Sequence, residues 1–359
     1  MYNVNRYFMD STIKTILLIF LFVLVFYLLS VLSSILLPLV LAFLLAVMFQ
    51  PLIALLKKIK VPSFLILPAV SIITLAFIFL ILNIIYQTST DMAAQKDYIA
   101  YRFQSKLEGF FNWIQSISGG AINTDFLYKQ INEIPKSDWF SNTAGSVAKS
   151  ISSFTGSFVM FAIYYIVLLS GMSGYKKYVR YVGGDKSSTL LETYEKVQKS
   201  VFSYMIIKTL LNLASGLMVT LICLAFGVKF AVFWGFIAFL VIYIPSFGSI
   251  IATVFPVLMA IIQFDSFNKI LLFFLCIFVV LLINGSIIEP KVMGIRLRLN
   301  TVTVIFGLVF WGYLWGIPGM MLSVPLMVIL KLVFEHFPTL SIVSRLMGYP
   351  EKEAEKVKV

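Results

Sequence analysis

Apolar runs of membrane length, separated by short polar stretches, organise this chain from end to end. Those near 13–33, 35–56, 62–87, 151–172, 201–226 and 270–288 carry few or no charges. Each supplies about the 20 residues that a helix needs to cross hydrocarbon. Backbone in lipid must satisfy its own hydrogen bonds, and these runs lack the strict apolar/polar alternation of a barrel strand, so helices are predicted. The run Ile13 to Leu32 is longer than a secretory signal core and another apolar run follows directly, so it reads as a retained first span.

Two longer runs, 230–263 and 302–334, behave differently. As one helix each would be about 50 Å long, against a hydrocarbon core of about 30 Å. The first is broken at Pro245, Ser246, Phe247, Gly248 and Ser249, and the second at Gly316, Ile317, Pro318 and Gly319. Proline removes a backbone donor and glycine loosens the helix, so each run is predicted to reverse at its midpoint. The fold class is therefore all-α: a polytopic integral membrane protein with six spanning helices and two re-entrant helical hairpins. The alternative is eight spanning helices, two of them kinked.

Charge placement orients this arrangement. Lys57, Lys58 and Lys60, with no acid among them, put the link between the second and third runs in the cytoplasm, and the N-terminus with Arg6 and Lys14 beside it. Residues 88–150 then lie outside, with six basic and six acidic residues, and 173–200 return inside with six basic against three acidic. If both long runs dip and return, Lys291, Arg296 and Arg298 fall inside as the bias expects. The C-terminus is cytoplasmic in either arrangement. Phe103, Leu107, Phe110, Phe111, Ile114 and Ile117 recur at helical spacing and predict a helix capping the outer face. Thr189 and Glu192 form a capping-box pattern, which predicts an interfacial helix joined to the fifth span. The resulting divisions are N-terminal membrane helices (1–87), an extracytoplasmic helical insert (88–150), a fourth span with the interfacial helix (151–200), a transport region with both hairpins (201–334) and a tail (335–359).

Composition narrows the function. Apolar residues make up 60% of the 359 positions and charged residues 12%, so the lipid bilayer is the first partner. The net charge of +12 sits beside apolar runs, as membrane anchors do, and does not point to nucleic acid. Cys223 and Cys276 lie inside apolar runs without metal-type or redox-type spacing. The one histidine, His336, follows the final run, and no Gly-x-x-x-x-Gly-Lys-Ser/Thr loop is present. Neither an enzyme, a cofactor or metal site, nor an ATP-driven pump is expected.

Polar groups at membrane depth are costly and face a bundle interior or a watery path, so each is a candidate pathway residue. Lys208 and Asn212 lie one turn apart on one face of the fifth span, although Lys208 can equally snorkel to the surface. Asn284 and Glu289 bracket the end of the sixth, where Glu289 either holds a cation or proton or pairs at the surface with Lys291. The breaks at Pro245, Ser246, Phe247 and Gly248, and at Gly316, Pro318 and Gly319, add unpaired peptide groups suited to a small polar solute.

Three motifs in this order carry a resemblance. Tyr243-Ile-Pro-Ser-Phe-Gly-Ser, Glu289-Pro-Lys-Val-Met-Gly and Gly316-Ile-Pro-Gly-Met-Met-Leu-Ser-Val-Pro325-Leu resemble the autoinducer-2 exporter family of bacterial membrane proteins, over nearly the whole chain. The resemblance implies a homo-oligomeric secondary transporter in the bacterial inner membrane that moves a small polar solute, the quorum-sensing signal autoinducer-2, out of the cell. It equally implies an alternative, Na⁺(Li⁺)/H⁺ antiport, because relatives have been assigned both. A membrane scaffold that moves nothing is the third reading. Asn300, where many relatives have histidine, and Pro318, inserted in the glycine turn, depart from the family pattern.

Overall fold

The computed structural model of the protein describes residues 2–117, 157–171, 187–293, 299–335 and 340–348, together with 180, 181 and 184. These residues are almost wholly helical. The helices are α1 (Tyr2–Val31), α2 (Ser33–Lys58), α3 (Ser63–Ala94), α4 (Lys96–Ile117), α5 (Ser157–Gly171), α6 (Ser187–Phe226) and α7 (Ala231–Val241). They continue with α8 (Gly248–Gln263), α9 (Phe267–Ile283), α10 (Glu289–Met293), α11 (Thr301–Glu335) and α12 (Ser341–Leu346). Among the described residues five helices are long and apolar enough to cross a membrane, the stretches Ser33–Lys58, Phe64–Ala94, Tyr194–Phe226, Phe267–Met293 and Thr301–Glu335. The protein is an all-helical, multi-pass membrane protein.

The chain forms two compact units that interleave in sequence: residues 1–47, 160–201 and 298–350 make one, and residues 48–159, 202–297 and 351–359 the other. In the first, α11 is not a straight rod. Gly316 adopts φ 65° and ψ −147°, a region open in practice only to glycine. Beyond it the chain folds back on itself, for a Cβ at Gly307 would lie 2.5 Å from Met327 Cγ, and one at Gly312 2.9 Å from Met320. Residues 20 apart would be about 30 Å apart along an unbroken helix. Gly319 packs directly beneath the Trp311 carbonyl, where no side chain fits. Pro318 sits in the first turn of the returning half, where its missing N–H costs nothing. Asn300 begins this hairpin as an N-cap, accepting from Thr303 N at 2.8 Å and donating to Leu346 O at 2.6 Å. That bond ties α12 to the start of α11.

In the second unit the run 230–263 also reverses. The α7 and α8 halves are antiparallel: Trp234 stacks on Phe255 with ring centroids 6.5 Å apart, and Gly248 lies against the Val241 carbonyl. Gln263 closes the base, accepting from Lys229 N at 2.9 Å and donating to Gly227 O at 2.6 Å. Helix α6 approaches α7 through two glycines, since a Cβ on Gly235 would stand 2.5 Å from Gly216 O.

The stretch that holds Thr189 and Glu192 joins the fifth span as expected, in one continuous helix from Ser187 to Phe226, although the helix begins two residues before Thr189. One local expectation is corrected. The third apolar helix extends to Ala94, past the expected end near residue 87, and Gln95 makes the only pause before α4. The tail after residue 348, residues 118–150 of the outer insert, residues 151–156 at the start of the expected fourth span, His336 and the connector residues Arg296 and Arg298 lie outside the described residues.

Helix α4 grips the hairpin base. Arg102 donates to the carbonyls of Ile262 (3.2 Å) and Gln263 (2.9 Å) at the end of α8, and Arg102 and Lys106 both reach Asp265. Lys229 reaches back to Gln95 at 2.7 Å and lies over the Tyr98 ring. The hydrogen bonds from Lys106 and then Arg102 hold the Asp265 carboxyl below the usual carboxylate range. A depressed carboxylate contributes above its unfolded pKa, about 3.9, and the contribution is lost as pH falls through the lower folded value. Protease nicking of α4 is therefore expected to be constant from pH 7 to pH 5 and to rise below about pH 4. Asp265→Asn is expected to raise nicking at neutral pH and flatten the acid limb; an unchanged pH profile contradicts the clamp.

Candidate functional site

Four residues along α6, Tyr204, Lys208, Asn212 and Ser215, are buried and spaced by four, four and three positions, so one helix face carries them all. This face docks against α7 and the end of α9. Lys208 Nζ meets Glu289 Oε1 at 2.5 Å, with side chains 5% and 24% exposed. Asn284 donates to Ser215 Oγ at 2.5 Å, and Asn212 Nδ2 donates to Phe239 O at 3.3 Å. Thr209 gives its proton to Met205 O at 2.6 Å and so accepts from the Tyr243 hydroxyl, also at 2.6 Å.

Glu289 owes its position to a widened turn. After Ile283 the helix opens into a π turn, Asn284–Ile288, and Glu289 N donates to Asn284 O five residues back. Such turns rotate the following residues relative to a regular helix and recur at functional sites. Here the turn lets Asn284 face Ser215 while Glu289 faces Lys208.

The tip of the first hairpin completes the site. Pro245 has no N–H to give, Ser246 takes a left-handed φ of 63°, and Phe247 N donates to Pro245 O at 2.7 Å. A cavity of about 530 Å³ opens beside this tip. Lys208, Glu289, Ser246, Ser249, Thr253 and Ser286 line its polar part, and Ile242, Ile250, Val254, Phe274, Phe278 and Leu281 its apolar part. That volume lies within the range of small-molecule sites, as does the mixture of apolar wall and few polar groups.

The sequence profile described as AI-2E family transporter matches residues 15–339. This chain belongs to that family. Among its relatives, the AI-2 transport protein TqsA of Escherichia coli K12 is 39% identical over 38% of this chain and 40% of its own length. A Haemophilus influenzae protein, provisionally named a transport protein, is 36% identical over 43% of this chain and 44% of its own. A Borreliella burgdorferi protein with a similar provisional name is 29% identical over 62% of each chain. The chain thus spans less than half the length of the first two in these matches.

Within this AI-2E family member the structure gathers Lys208, Glu289, Pro245 and Ser246 around one cavity. Asn212 and Asn284 lie along the same polar face, behind the lining. Phe247 is exposed beside the tip and Gly248 is buried against Val241; neither lines the cavity. Gly316, Pro318 and Gly319 belong to the other compact unit, with Gly316 and Pro318 exposed at its break. Two alternatives fall away. Lys208 does not snorkel, being 4% exposed, and Glu289 pairs with Lys208 rather than with Lys291. Tyr204, Thr209, Ser215 and Ser286 were not singled out from sequence, although the 204/208/212/215 spacing was there to be read.

Removing one partner of a buried ion pair strands the other, at a cost of about 3–5 kcal/mol. Glu289's partial exposure places this pair toward the lower end. Lys208→Met and Glu289→Gln are each expected to lower stability by about 2–3 kcal/mol, and the double variant to recover most of the loss, read by thermal unfolding in detergent. Fully additive losses contradict a direct pair.

Proposed function

We propose that this AI-2E family member is a secondary transporter that exports a small polar solute of the autoinducer-2 kind, bound in the cavity at the first hairpin tip. The observation that carries the reading is the juxtaposition there of a helix break, a buried Lys208–Glu289 pair and several hydroxyls with one apolar wall. An ion pair keeps the cavity neutral overall while offering donors and acceptors, which suits an uncharged hydroxylated solute. The likeness to the E. coli AI-2 transport protein TqsA supports the same substrate. The absence of a nucleotide-binding loop from the sequence supports a gradient as the driving force.

In this reading both hairpins are re-entrant, the termini are cytoplasmic, the protein is a homo-oligomer of the bacterial inner membrane, and the region 201–334 is the transport region. The exposed backbone at Gly316 and Pro318 has the same need for hydration as the first tip. Na⁺(Li⁺)/H⁺ antiport gains no support, since the Glu289 carboxylate that would bind the cation is engaged by Lys208.

Purified protein in sealed vesicles is expected to pass autoinducer-2 saturably, and Ser286→Trp, which fills the cavity from an exposed wall position, to reduce the flux by at least about tenfold. Vesicles that pass autoinducer-2 no faster than protein-free ones contradict the export reading; flux of Na⁺, Li⁺ or H⁺ in its place restores antiport, and no flux at all leaves the scaffold.

A further inference from the structure

The Lys208 ammonium is held by Glu289, and one helical turn along the same face an amide oxygen is idle. Asn212 is fully buried, and its Oδ1 has no donor among the described residues. The amide orientation follows from its surroundings: Nδ2 donates to Phe239 O, and turned over it would set oxygen against oxygen. An unmet acceptor at such depth is costly in the resting protein. It lies one helical turn from Lys208 on the same face, where side-chain bases are about 5–6 Å apart. A four-carbon lysine stem covers that span.

Both members of the pair line the cavity, but Glu289 is the more exposed, its side chain 24% exposed against 5% for Lys208. A solute in the cavity meets the carboxylate first. Lys208 holds only Oε1, so a solute that takes both carboxylate oxygens displaces the ammonium, and a buried ammonium left without a partner is strongly unfavourable. The nearby acceptors are mostly occupied: Ser215 receives Asn284, and Thr209 receives Tyr243. Asn212 Oδ1 is free.

We propose that Lys208 moves from Glu289 to Asn212 when a solute occupies the carboxylate, which makes Asn212 a positioning residue for solutes that bring hydrogen-bond donors and no negative charge. This rests on the cavity being the solute site. The idle amide oxygen is then a prepared second berth, and the unfavourable state it creates at rest is relieved on binding. Anionic solutes are rejected because they leave Glu289 facing a like charge while Lys208 still has two acceptors.

The test uses the full-length protein carrying Ser286→Cys in the cavity wall, with Cys223→Ala and Cys276→Ala. Rates of thiol modification by a cationic and an anionic methanethiosulfonate of similar size are compared. Adding Asn212→Asp gives Lys208 a charged acceptor on its own helix and uncovers Glu289, so the cationic-to-anionic rate ratio is expected to rise by about threefold or more. Adding Asn212→Leu removes the second berth but leaves the resting pair. The ratio then stays at the parent value, while the concentration of autoinducer-2 that protects the thiol rises by at least about tenfold. An unchanged ratio with Asn212→Asp overturns the proposal. Should that variant not fold, full protection retained by Asn212→Leu overturns it. If autoinducer-2 fails to protect even the parent thiol, the solute-site reading is what fails, and an unchanged Asn212→Asp ratio still overturns the movement of Lys208.

Discussion

A peptide group at membrane depth without a helical partner has to find protein or water, and the architecture of this chain follows from that constraint. Both long apolar runs contain such groups at their midpoints. At the first, Pro245 removes one donor, Phe247 N turns to Pro245 O, and Gly248 N reaches Ile244 O at 3.0 Å, so the tip meets part of its own demand. Ser246, held at positive φ, and Phe247 are left exposed there. At the second, Gly316 adopts a conformation that a side chain would strain, and Pro318 restarts the helix without needing a donor. A straight helix would leave none of this backbone open; a reversal leaves it open at one end only.

The hairpin shape also determines what the surrounding helices can do. Glycines at 216 and 235 let α6 lie against α7, which brings the Tyr204–Ser215 face over the hairpin. Gln263, Arg102 and Asp265 clamp the base, at the end opposite the tip. The π turn at Asn284–Ile288 aims Glu289 at Lys208. A buried ion pair is a poor way to hold two helices together, since apolar residues of the same volume often do as well or better. Under the proposed function its use is chemical: it presents charge to a solute while keeping the cavity neutral overall.

Much of this was legible in the residues and some was not. The breaks at Pro245–Gly248 and Gly316–Gly319 stood out because proline and glycine act locally on backbone hydrogen bonding, and the structure reverses the chain at both. The stripe from Phe103 to Ile117 marked α4 through its helical period. Long-range pairing leaves no such local trace. Lys208 and Glu289 are 81 positions apart, and Arg102 meets Asp265 across 163; Lys291, two residues from Glu289, was the nearer and mistaken partner. Thr189 and Glu192 satisfied a capping pattern by composition, yet the helix start at Ser187 made them interior. The widened turn after Ile283 sits where Asn284 meets Ser215, 69 positions away in the sequence.

Backbone amide exchange in lipid nanodiscs tests the central claim most directly. If each run reverses at its break and the tips reach water, amides at 246–249 and 316–320 are expected to exchange at least about a hundredfold faster than those of the flanking helices, which open only with larger parts of the structure. Protection of both tips equal to that of residues 232–240 and 305–312 would mean that the breaks are sealed in lipid or protein, and a hydrated path through them would be contradicted.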